Sequence, residues 1–233
     1  MDRSTAAFDG ALETQLQALM DYPGFKGQTS NRFLAEISDL VIAKAEVGEP
    51  LIEVGCFLGK STVALAMLAR RMDARLFSID VGRQHIDFTA GMLAHYGLAD
   101  RVTFFHGDFP TFAARMIFPT KPAMVLVDGH HAYRYVRADI AALFALNDHP
   151  RYAAFHDYAL RRAGPASEDA PNVYGAIHDA FGPALSVSPV GIAGPQGPPK
   201  INNRNNYLAP GVSEGVIIDL APYQAGLPAP ATA

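Results

Sequence analysis

A single cysteine, Cys56, stands in a chain of 233 residues. That scarcity excludes an intramolecular disulfide framework and any zinc site built on several thiolates. A lone thiol suits a reducing compartment. No run of 18 apolar residues occurs, so no membrane-spanning helix is expected. Met1-Asp2-Arg3-Ser4 leads into no apolar signal core, and the expected location is cytoplasmic. Positive charge is scarce too. Lys and Arg total 19 against 23 Asp and Glu, a formal net charge of -4. A chain without a basic excess lacks the footprint for gripping phosphates in general, so no nucleic-acid partner is expected. Apolar residues are not scarce: at 49% they exclude global disorder, and the length suits one large domain.

The order of elements follows from periodicity. Ala11 to Met20 reads as a short helix ended by Pro23-Gly24. After Ser30, a candidate N-cap, Phe33, Leu34, Ile37, Leu40 and Val41 form a helical stripe, stopped at Gly48-Glu49-Pro50. Then short apolar runs alternate with longer helical stretches. Strands are expected at Leu51–Val54, Arg75–Ile79, Arg101–His106, Ala123–Val127 and Tyr152–Phe155. Helices are expected at Ser61–Arg71, Ile86–Tyr96, from Tyr133 to Phe144, and at Asn172–Phe181. This alternation means βαβ units and an α/β fold with a mostly parallel sheet covered on both faces. Ala184–Val190 and Gly215–Leu220 are two further strand candidates with no helix between them, which suits an antiparallel pair at the sheet edge. The stretch between them, from Gly191 to Gly211, is a long Gly-, Pro- and Asn-rich loop of the kind that forms a lid or binding loop. The chain divides into N-terminal helices (1–48), a core (49–220) and a loose tail (221–233) of a single domain.

Acidic residues fall in a regular place. Glu53, Asp80, Asp108, Asp128 and Asp157 each lie at or just past the carboxyl end of an expected strand. In open α/β sheets that edge is where ligands bind. Helix capping is the competing role for each acid taken singly.

Between the first strand and its helix runs Glu53-Val54-Gly55-Cys56-Phe57-Leu58-Gly59-Lys60-Ser61-Thr62. A phosphate loop needs glycine at position 54, where valine stands, and a dinucleotide fingerprint needs glycine at 57, where phenylalanine stands. What remains is Glu-x-Gly-x-x-x-Gly, two glycines that admit close backbone approach. Asp80, 21 residues after Gly59, is placed to accept from two ribose hydroxyls. The implied ligand carries an adenosine and little phosphate.

With these residues the chain, from about Asn31 to Leu220, resembles class I S-adenosylmethionine-dependent methyltransferases. The resemblance implies a doubly wound, Rossmann-like, seven-stranded, mostly parallel sheet with an antiparallel edge strand. It implies S-adenosylmethionine as cofactor, with Glu53 near the methionine amine, Gly55, Gly59 and Ser61 along the cofactor, Asp80 on the ribose and Asp108 facing the adenine amine. Asp128-Gly129-His130-His131-Ala132-Tyr133, with Val136 and Asp139 in register, is similar to the Asp-Gly-x-His-x-Tyr-x-x-Val-x-x-Asp pattern of a small-molecule subgroup, as is His156-Asp157-Tyr158 after the fifth strand.

The catalytic candidates are His131 as base and Asp128 beside it. A buried loop histidine bonded to backbone is the plainer role for His131. Asp128 and Asp157 end neighbouring strands and could hold Mg²⁺ or another divalent metal, with His156 or His131 adding a nitrogen. Loop capping is their alternative. His85 and His95 are read as helix-flanking, His106 as strand packing, and Arg204 and Tyr207 as grips for a polar acceptor. The expected activity is O-methylation of a small molecule, metal-assisted or not. The expected partner is that small-molecule acceptor, with no nucleic acid and no membrane, and a homodimer is allowed. A non-catalytic cofactor-binding or assembly protein on the same fold is the alternative function. A nicotinamide-dependent oxidoreductase is disfavoured by the missing third glycine.

Overall fold

The computed structural model describes residues 29–159, 168–192 and 211–224. The expected helix at Ala11–Met20, Arg204, Tyr207 and most of the tail lie outside these residues. Helix α1 (Asn31–Lys44) starts where the sequence places it: the Ser30 hydroxyl accepts from the Phe33 amide at 3.1 Å. Its stripe of Phe33, Leu34, Ile37 and Val41 is buried.

Next come β1 (Leu51–Val54), α2 (Lys60–Arg71), β2 (Leu76–Asp80), α3 (Arg83–His95), β3 (Val102–His106), α4 (Phe109–Arg115) and β4 (Met124–Val127). They are followed by α5 (Tyr133–Leu143), β5 (Tyr152–Phe155), α6 (Val173–Phe181), β6 (Ser188–Ile192) and β7 (Ser213–Asp219). The seven strands run in the order β3-β2-β1-β4-β5-β7-β6. β1 to β5 pair in parallel, and β7 pairs antiparallel with both β5 and β6. β1, β4 and β5 are buried throughout, as expected for a sheet covered on both faces. Their side chains alternate between two layers. Leu51, Met124, Leu126 and Ala154 pack with α1, α2 and α3. Ile52, Val125, Val127 and Phe155 pack with α4, α5 and α6.

The expected antiparallel pair is present, with the reversed strand β7 one place in from the edge. β6 starts four residues later than the run at 184 predicts, and it tolerates Pro189 because it is the outermost strand. α4 has no counterpart in the periodicity. It is seven residues long and holds a proline in its first turn, too short to show a stripe. Among the described residues, no helix is long and apolar enough to cross a membrane.

Candidate functional site

One cavity of about 730 Å³ opens along the carboxyl edge of the parallel strands. It reaches from Asp80, ending β2, past the β1–α2 turn to Asp128 after β4 and Asp157 after β5. The turn needs its glycines for packing as much as for a ligand. A Cβ on Gly55 would lie 2.4 Å from the Asp128 carbonyl oxygen, and one on Gly59 would lie 2.3 Å from Met92 Cε. Both have positive φ, +91° and +81°. Their backbones line the cavity together with Ser61.

At the β2 end, Asp80 is a saturated acceptor. Oδ2 accepts from the amides of Cys56 (3.0 Å) and Phe57 (3.1 Å), and Oδ1 from the Gly82 amide (2.7 Å). His85 Nδ1 lies 3.0 Å from the same Oδ1. Burial alone would raise the Asp80 carboxyl, but the Gly82 and Phe57 amides and His85 outweigh it and hold it below its ordinary range. A carboxylate offers about four lone-pair positions, and all four are engaged. A ribose diol bound here, as the resemblance implies, would have to displace one donor. Three are backbone amides fixed by the fold, so the movable one is His85. His85→Ala is therefore expected to tighten S-adenosylhomocysteine binding, up to about 10-fold for the hydrogen bond no longer broken. Calorimetry reads this, and weaker binding would make His85 a ligand instead of a competitor.

Glu53 and Asp108, both expected at the cofactor, differ in their surroundings. Glu53 is fully buried beneath the turn, and its Oε2 accepts from Thr62 Oγ1 at 2.7 Å and Ser78 Oγ at 2.6 Å. Burial raises its carboxyl to about 7, against the lowering effect of the surrounding hydroxyls. Asp108 lines the cavity but caps α4, accepting from the Thr111 amide at 2.8 Å. The raised Glu53 value carries a sign. The folded state prefers the neutral acid, so that contribution is whole below about pH 4.5 and fades as pH rises through 7. Full ionisation costs about 3 kcal/mol. Denaturant titration of Glu53→Gln is expected to remove about 3 kcal/mol of the stability lost between about pH 4.5 and 7, leaving the share of Asp139, whose carboxyl burial also raises to about 7; an undiminished wild-type slope contradicts the assignment.

At the other end, four side chains converge. Asp128 Oδ1 lies 2.9 Å from His156 Nδ1 and 3.4 Å from His131 Nε2. Asp157 Oδ2 lies 3.5 Å from His131 Nε2, and its Oδ1 lies 3.3 Å from His156 Nδ1. Asp157 adopts φ +59°, a left-handed conformation that aspartate tolerates. Ligand atoms of Asp128, His131 and His156 all fall within 4.8 Å of one another. Burial would raise Asp128, yet His156 and His131 outweigh it and hold the carboxyl well below its usual range. Burial would lower His156, yet Asp128 and Glu214 hold it well above the ordinary imidazole value. His156 Nδ1 is buried and closes no hydrogen bond. Two carboxylates and two imidazoles with such a nitrogen fit a divalent cation.

The sequence places Asp128, His131, His156 and Asp157 together, and the structure does the same. His106 does not pack in its strand; it is exposed, with Nε2 3.1 Å from the Val81 carbonyl. Cys56 is buried, and burial pushes its thiol up, away from reactivity. Three site residues carried no such sign in the sequence: His85, Lys60 and Glu214. Lys60 is buried and donates to the Thr29 carbonyl, and burial lowers its ammonium to about 8 against the pull of Glu214. Asp139 lines the cavity from α5, raised to about 7 by burial and by Asp108. Glu214 could have been found from topology. A reversed strand begins at the edge where parallel strands end, so its first acid, not its last, faces the site.

Residues 52–158 match a family profile described as a methyltransferase domain. That span carries every strand-end acid from Glu53 to Asp157 and stops short of Glu214. No curated protein matches the sequence. Several solved structures are similar. The O-methyltransferase from Bacillus cereus in complex with S-adenosylhomocysteine is 17% identical, over 90% of this chain and 90% of that one, with a TM-score of 0.58. An O-methyltransferase from Streptomyces achromogenes involved in tomaymycin synthesis, in complex with S-adenosylmethionine, is 19% identical over 91% and 90%, with a TM-score of 0.54. A S-adenosylmethionine-dependent O-methyltransferase from Thermotoga maritima is 12% identical over 93% and 72%, with a TM-score of 0.58. At such identities the likeness is one of fold.

Proposed function

We propose that this chain, a class I S-adenosylmethionine-dependent methyltransferase, methylates an oxygen of a small molecule with the help of a divalent cation. One observation carries the reading. A single cavity joins a ribose-type carboxylate, Asp80, to the cluster Asp128, His131, His156 and Asp157. Three strand spacings separate β2 from β5, about 14 Å, room for a cofactor and an acceptor side by side. A volume of about 730 Å³ suits small ligands. That the three similar proteins above are O-methyltransferases by name supports oxygen as the acceptor atom.

When bound, S-adenosylmethionine supplies a sulfonium methyl that needs no further activation. The protein has to orient the acceptor and take its proton. His131 is the residue for the proton: its side chain is 27% exposed on the cavity side, while Asp128 and Asp157 hold its Nε2 from behind. Asp128, Asp157 and His156 would hold the cation, which when bound lowers the pKa of an oxygen resting on it.

Transfer of a tritiated methyl group tests this. Label is expected in small hydroxylated compounds, not in bulk RNA or protein, to vanish on chelation, and to return with added divalent metal. Label in macromolecules overturns the small-molecule reading, and activity indifferent to chelator removes the cation.

A further inference from the structure

Glu214 is 2% exposed and reaches the cluster from the start of β7. Its Oε1 accepts from the Ser30 amide at 2.6 Å and lies 2.8 Å from His156 Nε2. On the opposite edge of that ring, Nδ1 faces Asp128 at 2.9 Å and Asp157 at 3.3 Å without closing a hydrogen bond. His156, itself 2% exposed, is thus flanked by carboxylates on both nitrogens. A carboxylate brings lone pairs only, so the nitrogen facing Glu214 carries the ring hydrogen. The other nitrogen then turns a lone pair toward two more anions in a buried place. That arrangement is repulsive unless a metal cation or a second ring proton lies between them, and the convergence of Asp128, His131 and His156 ligand atoms within 4.8 Å of one another favours the metal. The ammonium of Lys60 does not serve, since it is bound to the Thr29 carbonyl and offsets Glu214.

We propose that Glu214 is a positioning residue that presents His156 Nδ1 as a metal ligand. The site it completes, with Asp128 and Asp157, takes a first-row transition ion in preference to Mg²⁺. The inference rests on the divalent-cation reading of the same cavity and names the ion's class. Imidazole nitrogens favour zinc-like ions, whereas Mg²⁺ seeks oxygen and water. A carboxylate behind a ligating histidine fixes its tautomer and raises its basicity.

The test uses the full chain, stripped by chelator, then titrated with Co²⁺, Zn²⁺ and Mg²⁺ against a chromophoric chelator. S-adenosylhomocysteine calorimetry runs alongside. One Co²⁺ or Zn²⁺ per chain is expected, bound at least about 100-fold tighter than Mg²⁺, with visible cobalt bands. Glu214→Ala is expected to weaken Co²⁺ about 10- to 100-fold and shift those bands, with Glu214→Gln restoring most of the affinity because it keeps an acceptor for the ring N–H. The wild type gives a reading that no folding defect can spoil. Its cobalt form should show a hyperfine-shifted imidazole N–H that exchanges slowly with water, held by Glu214. Mg²⁺ bound as tightly as Co²⁺ overturns the proposal. So does an unaltered Glu214→Ala protein, or the absence of a protected N–H. A chain that binds S-adenosylhomocysteine but no Co²⁺ places a second proton on His156, which overturns the metal site and leaves the methyltransferase reading standing. Failure to bind S-adenosylhomocysteine strikes that reading alone.

Discussion

Asp128→Asn is expected to slow methyl transfer at least about 100-fold while S-adenosylhomocysteine affinity stays within about threefold. Asparagine keeps the shape of the side chain and removes only the charge. That charge faces His156 Nδ1 at 2.9 Å and His131 Nε2 at 3.4 Å, so both the cation and the base lose their common partner. Asp80, where the proposed cofactor's ribose would rest, ends β2, two strands away from β4, and is untouched. Breaking a buried pair by neutralising one member costs about 3–5 kcal/mol, so thermal unfolding of the variant should fall as well. Steady-state kinetics paired with calorimetry separates the two losses. A rate within tenfold of wild type would mean that the cluster only holds the loop in place.

Gly55→Ala is expected to be strongly destabilising. The added carbon would stand 2.4 Å from the Asp128 carbonyl oxygen and 2.9 Å from Gly129 Cα, both backbone atoms that cannot rotate away. The residue's φ of +91° adds conformational strain of about 1–3 kcal/mol. Overpacking adds about 1–3 kcal/mol more. The sum corresponds to a fall in Tm of roughly 10 °C for a chain of this size. Gly48→Ala is the control, because φ is +89° there but nothing lies within 4 Å. If both variants melt together, strain alone explains the effect and the contact between the two turns carries nothing.

Which features the sequence revealed depends on how local their causes are. β1, β4 and β5 announce themselves because a strand buried on both faces is an unbroken apolar run. The convergence of Asp128 and Asp157 follows from parallel pairing of adjacent strands, with Val127 opposite Phe155. The direction of the Glu53 side chain is not legible, because a strand-end acid can point beneath the turn as readily as into the cavity, and only packing against Thr62 and Ser78 decides. His85 reads as helix-flanking in the sequence because its partner, Asp80, is met only through the turn at Gly82. Glu214 was hidden by distance: it meets His156 across 58 residues of chain.

The reversed strand has a bearing on how such a protein can diversify. Ile192 and Ser213 face each other across the β6–β7 pair, at the edge where the cavity opens. Whatever joins them is clamped at both ends by the sheet's own ladder. Doubling the length of such a connection costs only about 0.6 kcal/mol of closure entropy. A connection between two such anchored ends can be lengthened, shortened or transplanted between proteins of this topology while the register of β7, and Glu214 with it, stays in place.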